Sequence, residues 1–235
     1  MHIPDGFFNA GASVGAGVVA AGGVAVAIRR TADVLEEKQA PLAGLVAAFI
    51  FAVQMLNFPV AAGTSGHLLG GALAAVLVGP WAGVLCIAVV LMVQALLFAD
   101  GGLTALGLNV VNMALVTTLV GYGLFLVLRR LRPPTPGNVA LAAGISAGLS
   151  VVAASMAFTL EYAIGGTGSA SVSAVAGAMG GVHLLIGIGE GVITTAAVGA
   201  VLAVRPDLVH VAAGLALPLE IRRTPVASPQ ASEAA

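Results

Sequence analysis

Met1-His2-Ile3-Pro4-Asp5-Gly6-Phe7 precedes the first apolar segment of this chain and contains no basic residue. A secretory signal begins with positive charge, so this stretch is not typical of one. The Met1 α-amine, the amide nitrogen between Met1 and His2, and the His2 ring nitrogen nearest its backbone can together close two fused chelate rings around a metal ion. Pro4-Asp5-Gly6 predicts a tight turn, because proline presets φ and glycine accepts a positive φ. We therefore expect the first residues to fold back against the segments that follow.

The composition is that of an integral membrane protein. Of 235 residues, 59% are hydrophobic and only 8% are charged, and the mean hydropathy is +1.08. Because about 20 apolar residues cross a bilayer, the chain has room for about seven spans with short connections. We expect one transmembrane domain over residues 1–223 and a disordered tail, rich in Pro, Ser and Ala, over residues 224–235. The single cysteine, Cys86, lies in an apolar run and indicates neither a disulfide framework nor a cysteine metal site.

Seven apolar segments are separated by charged or turn-forming residues. The third looks short or kinked, and a segment rich in Gly, Ser and Ala, residues 165–180, precedes the seventh. The expected fold class is therefore all-α, an integral membrane protein with about seven transmembrane helices. The predicted spans are residues 8–28, 41–57, 67–79, 81–99, 103–128, 138–164 and 181–204.

The basic residues indicate the orientation of these spans. With seven spans and an external N-terminus, all nine Lys and Arg residues fall on the cytoplasmic side, in agreement with the positive-inside rule. A six-span arrangement would place the Arg129 cluster and the Arg29–Arg30 pair on opposite faces. We therefore expect the N-terminus outside and inserted into the bundle, and the C-terminus in the cytoplasm. The nine residues are Arg29, Arg30, Lys38, Arg129, Arg130, Arg132, Arg205, Arg222 and Arg223.

The outer half of the bundle collects groups that attract cations, with no Lys or Arg to repel them. His210 is expected on the inner side. Glu190 falls within the seventh span, where an ionisable group is costly and usually functional. The outer groups are His2, His67, His183, Asp5, Asp100 and Glu161.

His67 is the best candidate for a fourth ligand beside the three nitrogens of Met1 and His2. Ser65 or Thr64 is expected to cap the helix that follows, and Gly66 lets the backbone approach closely. Four nitrogens in a plane suit Ni(II) and Cu(II), can be imposed on Co(II), and match Zn(II), Mg(II) and Ca(II) poorly. Six extended residues reach about 20 Å, whereas half of the hydrocarbon core is about 15 Å. The N-terminus can therefore enter well below the outer surface.

Five groups of residues carry a family pattern: 1–6 (MHIPDG), 57–59 with 63–70 (NFP and GTSGHLLG), 94–102 (QALLFADGG), 106–113 (LGLNVVNM) and 187–191 (GIGEG). Together they resemble the CbiM/NikM family, the substrate-binding S components of energy-coupling factor (ECF) transporters for cobalt and nickel. The resemblance covers nearly the whole chain up to about Arg205. It implies seven transmembrane helices, location in a prokaryotic cytoplasmic membrane, and an ion bound by the Met1 amine, the His2 amide and ring, and His67. It also implies partners: a transmembrane coupling subunit, ATPase subunits and a small accessory membrane subunit.

Two functions from different classes follow. The favoured function is a non-enzymatic binding subunit for uptake of Co(II) or Ni(II), in which the ion is cargo, no cofactor is needed and both metals remain open. No phosphate-binding loop accompanies Lys38, the only lysine, so ATP hydrolysis is expected in separate subunits. The alternative is a self-sufficient secondary cation transporter or channel, with His183 and Glu190 as an ion or proton relay. Neither function involves nucleic acid.

Several residues are expected around the ion, along its path or between helices. Two amides can orient His67 or satisfy loop backbone, and one carboxylate can attract the ion. His183 and Glu190 lie two helical turns apart on one face. We expect His183 beside the ligands, bonded to Glu190 or to a backbone carbonyl, and direct ligation of the ion is the alternative. The residues expected beside the metal ligands or along the path of the ion are Asn57, Gln94, Asp100, His183 and Glu190. The glycine spacing permits close helix packing, within the chain or between subunits, at Gly11–Gly15, Gly144–Gly148 and Gly187–Gly191.

Overall fold

The computed structural model describes residues 1–32, 40–56, 58–61 and 64–212. These residues form seven helices, a two-stranded antiparallel ribbon and two single turns of 3₁₀-helix at Pro206–Leu208 and His210–Ala212. The tail predicted at residues 224–235 lies outside the described residues. The helices and strands are α1 (Ala10–Ala32), α2 (Ala40–Gln54), β1 (Phe58–Ala61), β2 (Thr64–Gly66), α3 (Gly71–Val78), α4 (Pro80–Leu97), α5 (Leu106–Leu128), α6 (Pro136–Gly165) and α7 (Val172–Val204).

Five of these helices, α1 and α4 to α7, are long and apolar enough to cross a bilayer. Helix α2 is apolar but has only 15 residues. The predicted all-α membrane fold with about seven helices is therefore confirmed. The predicted start of the seventh span at Gly181 is wrong, because α7 begins at Val172. The Ser171 hydroxyl caps it by accepting the main-chain N–H of Ala174 at 3.2 Å, and this cap lets a Gly- and Ala-rich sequence remain helical.

Helix α3 is a half-span at the centre of the bundle. Its eight residues measure about 12 Å at 1.5 Å per residue, and all of them are buried. Gly79 has φ +90° and turns the chain so that α4 runs back alongside α3. The predicted cap at Ser65 or Thr64 is wrong, because both residues lie in β2 and α3 starts only after Gly70. The chain between the ribbon and α3, residues 67–70, instead enters the bundle without regular structure.

Helices α6 and α7 pack closely along their length. A Cβ on Gly144 would lie 2.5 Å from the carbonyl oxygen of Gly191, and one on Gly148 would lie 2.7 Å from that of Gly187. These two small-residue pairs therefore serve packing within the chain, because any larger side chain would force the helices apart.

The two ends of the bundle differ in charge. Arginines lie in the last turn of α1 and directly after α5 and α7. At the opposite end, the main-chain N–H of Asn9 donates to the carbonyl of Gly165 at 2.8 Å, and Phe8 pairs with Gly166. The first nine residues therefore lie at the end that is distant from the arginines, which is the outer end by the positive-inside rule.

Candidate metal centre

The first residues form a hook that is held by the loop between α4 and α5. Gly6 has φ +78° in the predicted turn, and Asp5 Oδ1 accepts the main-chain N–H of Thr104 at 2.7 Å and its hydroxyl at 2.6 Å. These two hydrogen bonds lower the pKa of Asp5. The N–H of Gly102 donates to the carbonyl of Ile3 at 2.8 Å. The turn therefore sends the residues before it into the bundle, where Ile3 is only 2% exposed.

Asn109 holds the hook at Ile3. Its Oδ1 accepts the Ile3 main-chain N–H at 2.8 Å, and its Nδ2 donates to the Ile3 carbonyl at 3.3 Å. Asn109 is 1% exposed, and it lies at the start of α5 just before a π-helical stretch, Val110–Val116. Both polar main-chain groups of Ile3 are thus satisfied. Within the described part of the chain, the N–H of His2 has no hydrogen-bond acceptor.

The Met1 α-amine lies against His67. Its nitrogen is 2.5 Å from His67 Nε2, and His67 Nδ1 is 2.8 Å from the carbonyl oxygen of Leu68. Because that carbonyl can only accept, Nδ1 carries the ring proton and Nε2 presents its lone pair to the amine. The structure thus brings the predicted ligands Met1 and His67 together.

His2 completes this group of nitrogens. Its ring centroid is 4.6 Å from that of His67. Nε2 donates to Gln94 Oε1 at 3.0 Å, which leaves the lone pair on Nδ1, the nitrogen nearest the backbone. Nδ1 is 3.3 Å from Asp100 Oδ1. Gln94 and Asp100, both predicted near the ion, therefore flank the His2 ring rather than His67.

Two buried atoms beside His2 have no hydrogen-bond partner among the described residues. They are Asp100 Oδ2 and Gln94 Nε2. A buried carboxylate oxygen without a donor is costly, and a nearby cation removes that cost. The carboxylate of Asp100 therefore favours positive charge next to the imidazole of His2.

The segment after His67 is supported from two sides. Glu190 of α7 accepts the main-chain N–H groups of Leu69 at 2.6 Å and Gly70 at 2.9 Å. Gln54 of α2 donates to the Leu69 carbonyl at 2.7 Å. Irregular backbone inside a membrane is tolerated only where its polar groups are satisfied. Glu190 and Gln54 therefore supply the hydrogen bonds that allow His67 to sit on a buried, extended segment.

His183 is bonded to its own helix. Its Nδ1 donates to the Met179 carbonyl at 2.8 Å, so the backbone-carbonyl alternative is correct and the pairing with Glu190 is not observed. Both oxygens of Glu190 are engaged with Leu69 and Gly70, so the predicted relay between His183 and Glu190 has no hydrogen bond joining the two. Asn57, the remaining predicted neighbour, lies outside the described residues.

Burial keeps the candidate ligands neutral. It lowers the pKa of the Met1 α-amine to about 5, against the opposing effect of the Asp100 and Glu190 carboxylates. It lowers the pKa of His2 to about 4, helped by the Met1 amine. Together with His67 Nε2, whose lone pair faces the Met1 amine, three nitrogen lone pairs are therefore present at neutral pH.

No group of three or more His, Cys, Asp or Glu side chains in the described ranges is arranged to hold a metal ion. The nitrogen-rich centre has two imidazoles, and its other donors are the α-amine and an amide of the main chain. The sequence interpretation gave no role to two of its supports, Asn109 and Gln54. Asn109 lies in the family motif at residues 106–113. That motif is the feature of the sequence that could have identified it.

Known proteins are similar to this chain in fold and in sequence. A crystal structure of a truncated transition metal transporter matches with a TM-score of 0.76 and 30% identity, over 86% of this chain and 99% of that chain. The cobalt transport protein CbiM of Sorangium cellulosum is 38% identical over 218 residues, which cover 88% of this chain and 94% of that protein. The fused nickel transport protein NikMN of Rhodobacter capsulatus is 36% identical over 167 residues, which cover 70% of this chain and 47% of that protein.

The apolar helices and the similarity to known transporters define a multi-pass membrane protein for transition-metal transport. The family model of the cobalt uptake substrate-specific transmembrane region, CbiM, matches residues 2–208. The chain belongs to this family. It is a cobalt or nickel transport membrane protein of the CbiM/NikM type.

Proposed function

We propose that this chain is the substrate-binding membrane subunit of an ECF-type uptake transporter and that it binds Co(II) or Ni(II) through four nitrogens. These are the Met1 α-amine, the His2 amide nitrogen, His2 Nδ1 and His67 Nε2. The ion is transported cargo. Gln94, Asp100, Asn109 and Glu190 act as supports that position the ligands or balance the charge.

The observation that carries the proposal is the 2.5 Å separation between the Met1 amine nitrogen and His67 Nε2. Neighbouring donors in a square plane lie about 2.8 Å apart when metal–nitrogen bonds are about 2.0 Å. In a chelate formed by the Met1 amine, the His2 amide and the His2 ring, the open corner adjoins the amine. His67 lies beside the amine, as a fourth ligand in that corner requires.

The protonation states support the same role. The Met1 amine and the His2 imidazole, whose pKa values burial lowers to about 5 and about 4, have no protons to lose before they coordinate. The free His2 N–H is the amide in the position that the chelate needs, while the Ile3 N–H is already held by Asn109. Of these two amides, the one at His2 is therefore the easier to convert into a ligand.

Charge in the outer half supports binding of a cation. Asp5 and Asp100 lie beside the hook, and the described arginines lie at the other end of the bundle. The electrostatic field at the outer end therefore attracts a divalent ion.

Energy for uptake is proposed to come from partner subunits. We assign ATP hydrolysis to separate ATPase subunits, and we assign the movement of this chain to a coupling subunit with a small accessory membrane subunit. The secondary-carrier alternative is not favoured, since the two residues of its relay are bonded to different groups.

The experiment that tests this function is uptake of radioactive Ni(II) or Co(II) into vesicles that contain the chain alone or the chain with its coupling and ATPase subunits. We expect uptake only with the complete set and ATP. Uptake by the chain alone, driven by a proton gradient and abolished by Glu190→Gln, would instead establish the secondary carrier.

A further inference from the structure

A groove lies on the surface of the bundle between α1, α5 and α6. Its volume is about 320 Å³ and its walls are almost entirely apolar. Glu161 of α6 is the single ionisable residue among the described ones that line this cavity, and we call the cavity the Glu161 groove. The other lining residues that matter here are Gly11, Gly15 and Val19 of α1, Val111 of α5 and Ile164 of α6.

Only one carboxylate oxygen of Glu161 has a partner among the described residues. Asn112 Nδ2 donates to Glu161 Oε2 at 2.6 Å. Asn112 is 1% exposed and lies in the π-helical stretch of α5. No group in the described part of the chain donates a hydrogen bond to Glu161 Oε1. A carboxylate that faces an apolar groove in a membrane is costly, and such residues usually have a functional partner.

The depth of Glu161 limits what that partner can be. Glu161 lies four residues before Gly165, the last residue of α6, which is about 6 Å along the helix axis. The carboxylate is therefore near the outer boundary of the hydrocarbon core. At this depth a Lys or Arg side chain from a neighbouring helix can extend its charged end towards the interface at low cost.

The α1 wall of the groove is open to a neighbouring helix. A Cβ on Gly15 would meet no atom within 4 Å, unlike one on Gly144 or Gly148, which would meet α7. Val19 and Ile164 at the rim are exposed. Among the described residues, a Cβ on Gly11 would meet only the Asn9 side chain, at 3.4 Å, so no helix of the described chain packs on the Gly11–Gly15 pair. Small residues at this spacing let a second helix approach closely.

We propose that the Glu161 groove docks a transmembrane helix of a second membrane protein, and that this helix presents a Lys or Arg side chain to Glu161. Charge complementarity selects this occupant. The described arginines of the chain lie at the opposite end of the bundle, so none of them can pair with Glu161. A basic side chain of a partner would supply the missing donor while its apolar neighbours fill the groove.

The Glu161 groove is connected to the hook through Asn9 and the first turn of α1. Asn9 joins the hook to α1, and its N–H donates to the Gly165 carbonyl, one turn beyond Glu161. A Cβ on Gly165 would overlap Ala12 of α1. A helix seated in the groove would therefore contact the first turns of α1, to which the candidate ligands are attached.

The test uses two synthetic peptides in phosphatidylcholine vesicles that contain the purified chain. Each peptide has about 20 Leu and Ala residues, enough to span the bilayer, with either Lys or norleucine one turn from its outer end. Energy transfer is measured from a donor dye at Ser169→Cys, a position exposed on the outer loop, to an acceptor dye on the peptide. The variants are Glu161→Gln, Gly15→Leu and, as a control at another open and exposed glycine, Gly44→Leu.

The Lys peptide is expected to associate about three- to twentyfold more tightly than the norleucine peptide, as for one hydrogen bond between helices in a membrane. Glu161→Gln should remove this preference, Gly15→Leu should block both peptides, and Gly44→Leu should change neither result. Equal association of the two peptides, association with neither, or association that survives Gly15→Leu would overturn the proposal. Unchanged Ni(II) binding by the Glu161→Gln and Gly15→Leu variants would show that each remains folded.

Discussion

Asn109 pairs with both polar main-chain groups of Ile3, although 106 residues separate them in sequence. The pairing resembles one rung of a β-ladder in which a side chain replaces the second strand. This pairing fixes the main chain directly after His2. The distances from the amide and ring nitrogens of His2 to the His67 ring therefore depend on it.

Replacing Asn109 with Ala should therefore weaken metal binding without unfolding the protein. Loss of an outer-shell support typically reduces metal affinity about 10- to 100-fold, and we expect a change of this size for Ni(II) measured by calorimetry in detergent. Asn138→Ala is the matched control, because Asn138 caps a loop at the arginine end through Pro133. Equal affinities of the two variants would contradict a role for the Ile3 clamp.

Gly102→Ala should abolish binding through backbone contact alone. A Cβ at this position would overlap the main-chain nitrogen of Asp5, so either the loop or the hook must move. We expect the apparent melting temperature of the metal-free protein to change little and Ni(II) binding to be lost. Gly44→Ala, at a glycine with open space around it, should bind like the original chain. Full affinity in Gly102→Ala would show that the hook need not pack against this loop.

Glu190→Gln should lower both stability and affinity. A glutamine amide offers one acceptor oxygen where the carboxylate offers two, so one N–H of Leu69 or Gly70 loses its partner. An unsatisfied buried donor costs about 1–3 kcal/mol in the free energy of unfolding. The melting temperature in detergent should fall by several degrees. The fall should be larger than for Glu161→Gln, because the Glu161 carboxylate is bonded to a single side chain. An unchanged melting temperature would contradict the supporting role of Glu190.

The pH dependence of Ni(II) binding distinguishes a hook that is packed into the bundle from a free peptide of the same sequence. In the docked hook the amine and the imidazoles are already neutral between pH 6 and 8, because burial lowers the pKa of the Met1 amine to about 5 and that of His2 to about 4. Only the amide proton must then leave, and affinity should rise about tenfold per pH unit. Below pH 5 the amine also gains a proton, so the dependence should become steeper.

The tripeptide Met-His-Ile is the control for this measurement. Its amine titrates near its ordinary pKa of about 8, so its Ni(II) affinity should rise about a hundredfold per unit between pH 6.5 and 8. Affinity of the full chain that does not vary between pH 6 and 8 would contradict coordination by the His2 amide.

Much of the fold follows from local patterns in the sequence. Apolar length and the placement of the arginines predict the spans, and Pro4-Asp5-Gly6 predicts the turn that Gly6 adopts with φ +78°. The start of α7 at Val172 could not be predicted in the same way. The Gly and Ser residues before Gly181 disfavour a helix in isolation, and the helix forms there under the Ser171 cap and packing against α6.

The ligands of the candidate site could be predicted from the sequence. The hydrogen bonds that hold those ligands in place could not. Met1, His2 and His67 stand out because of their chemistry. The partners of Glu190, Gln54 and Asn109 are main-chain groups at distant positions, and no spacing in the sequence encodes such contacts. His183 and Glu190 share a helix face, which suggested a pair, yet each is satisfied by a different backbone segment.

The most direct test of the proposed metal centre is Ni(II) and Co(II) binding by the purified chain with one extra alanine before Met1. The control carries one extra alanine after Ala235. If the α-amine of Met1 is a ligand, the N-terminal extension abolishes binding and the C-terminal one leaves it unchanged, while both proteins keep the melting temperature of the metal-free chain. Equal binding by the two proteins would contradict the central claim, because the extension converts the Met1 amine into an amide and moves the free amine away from His67.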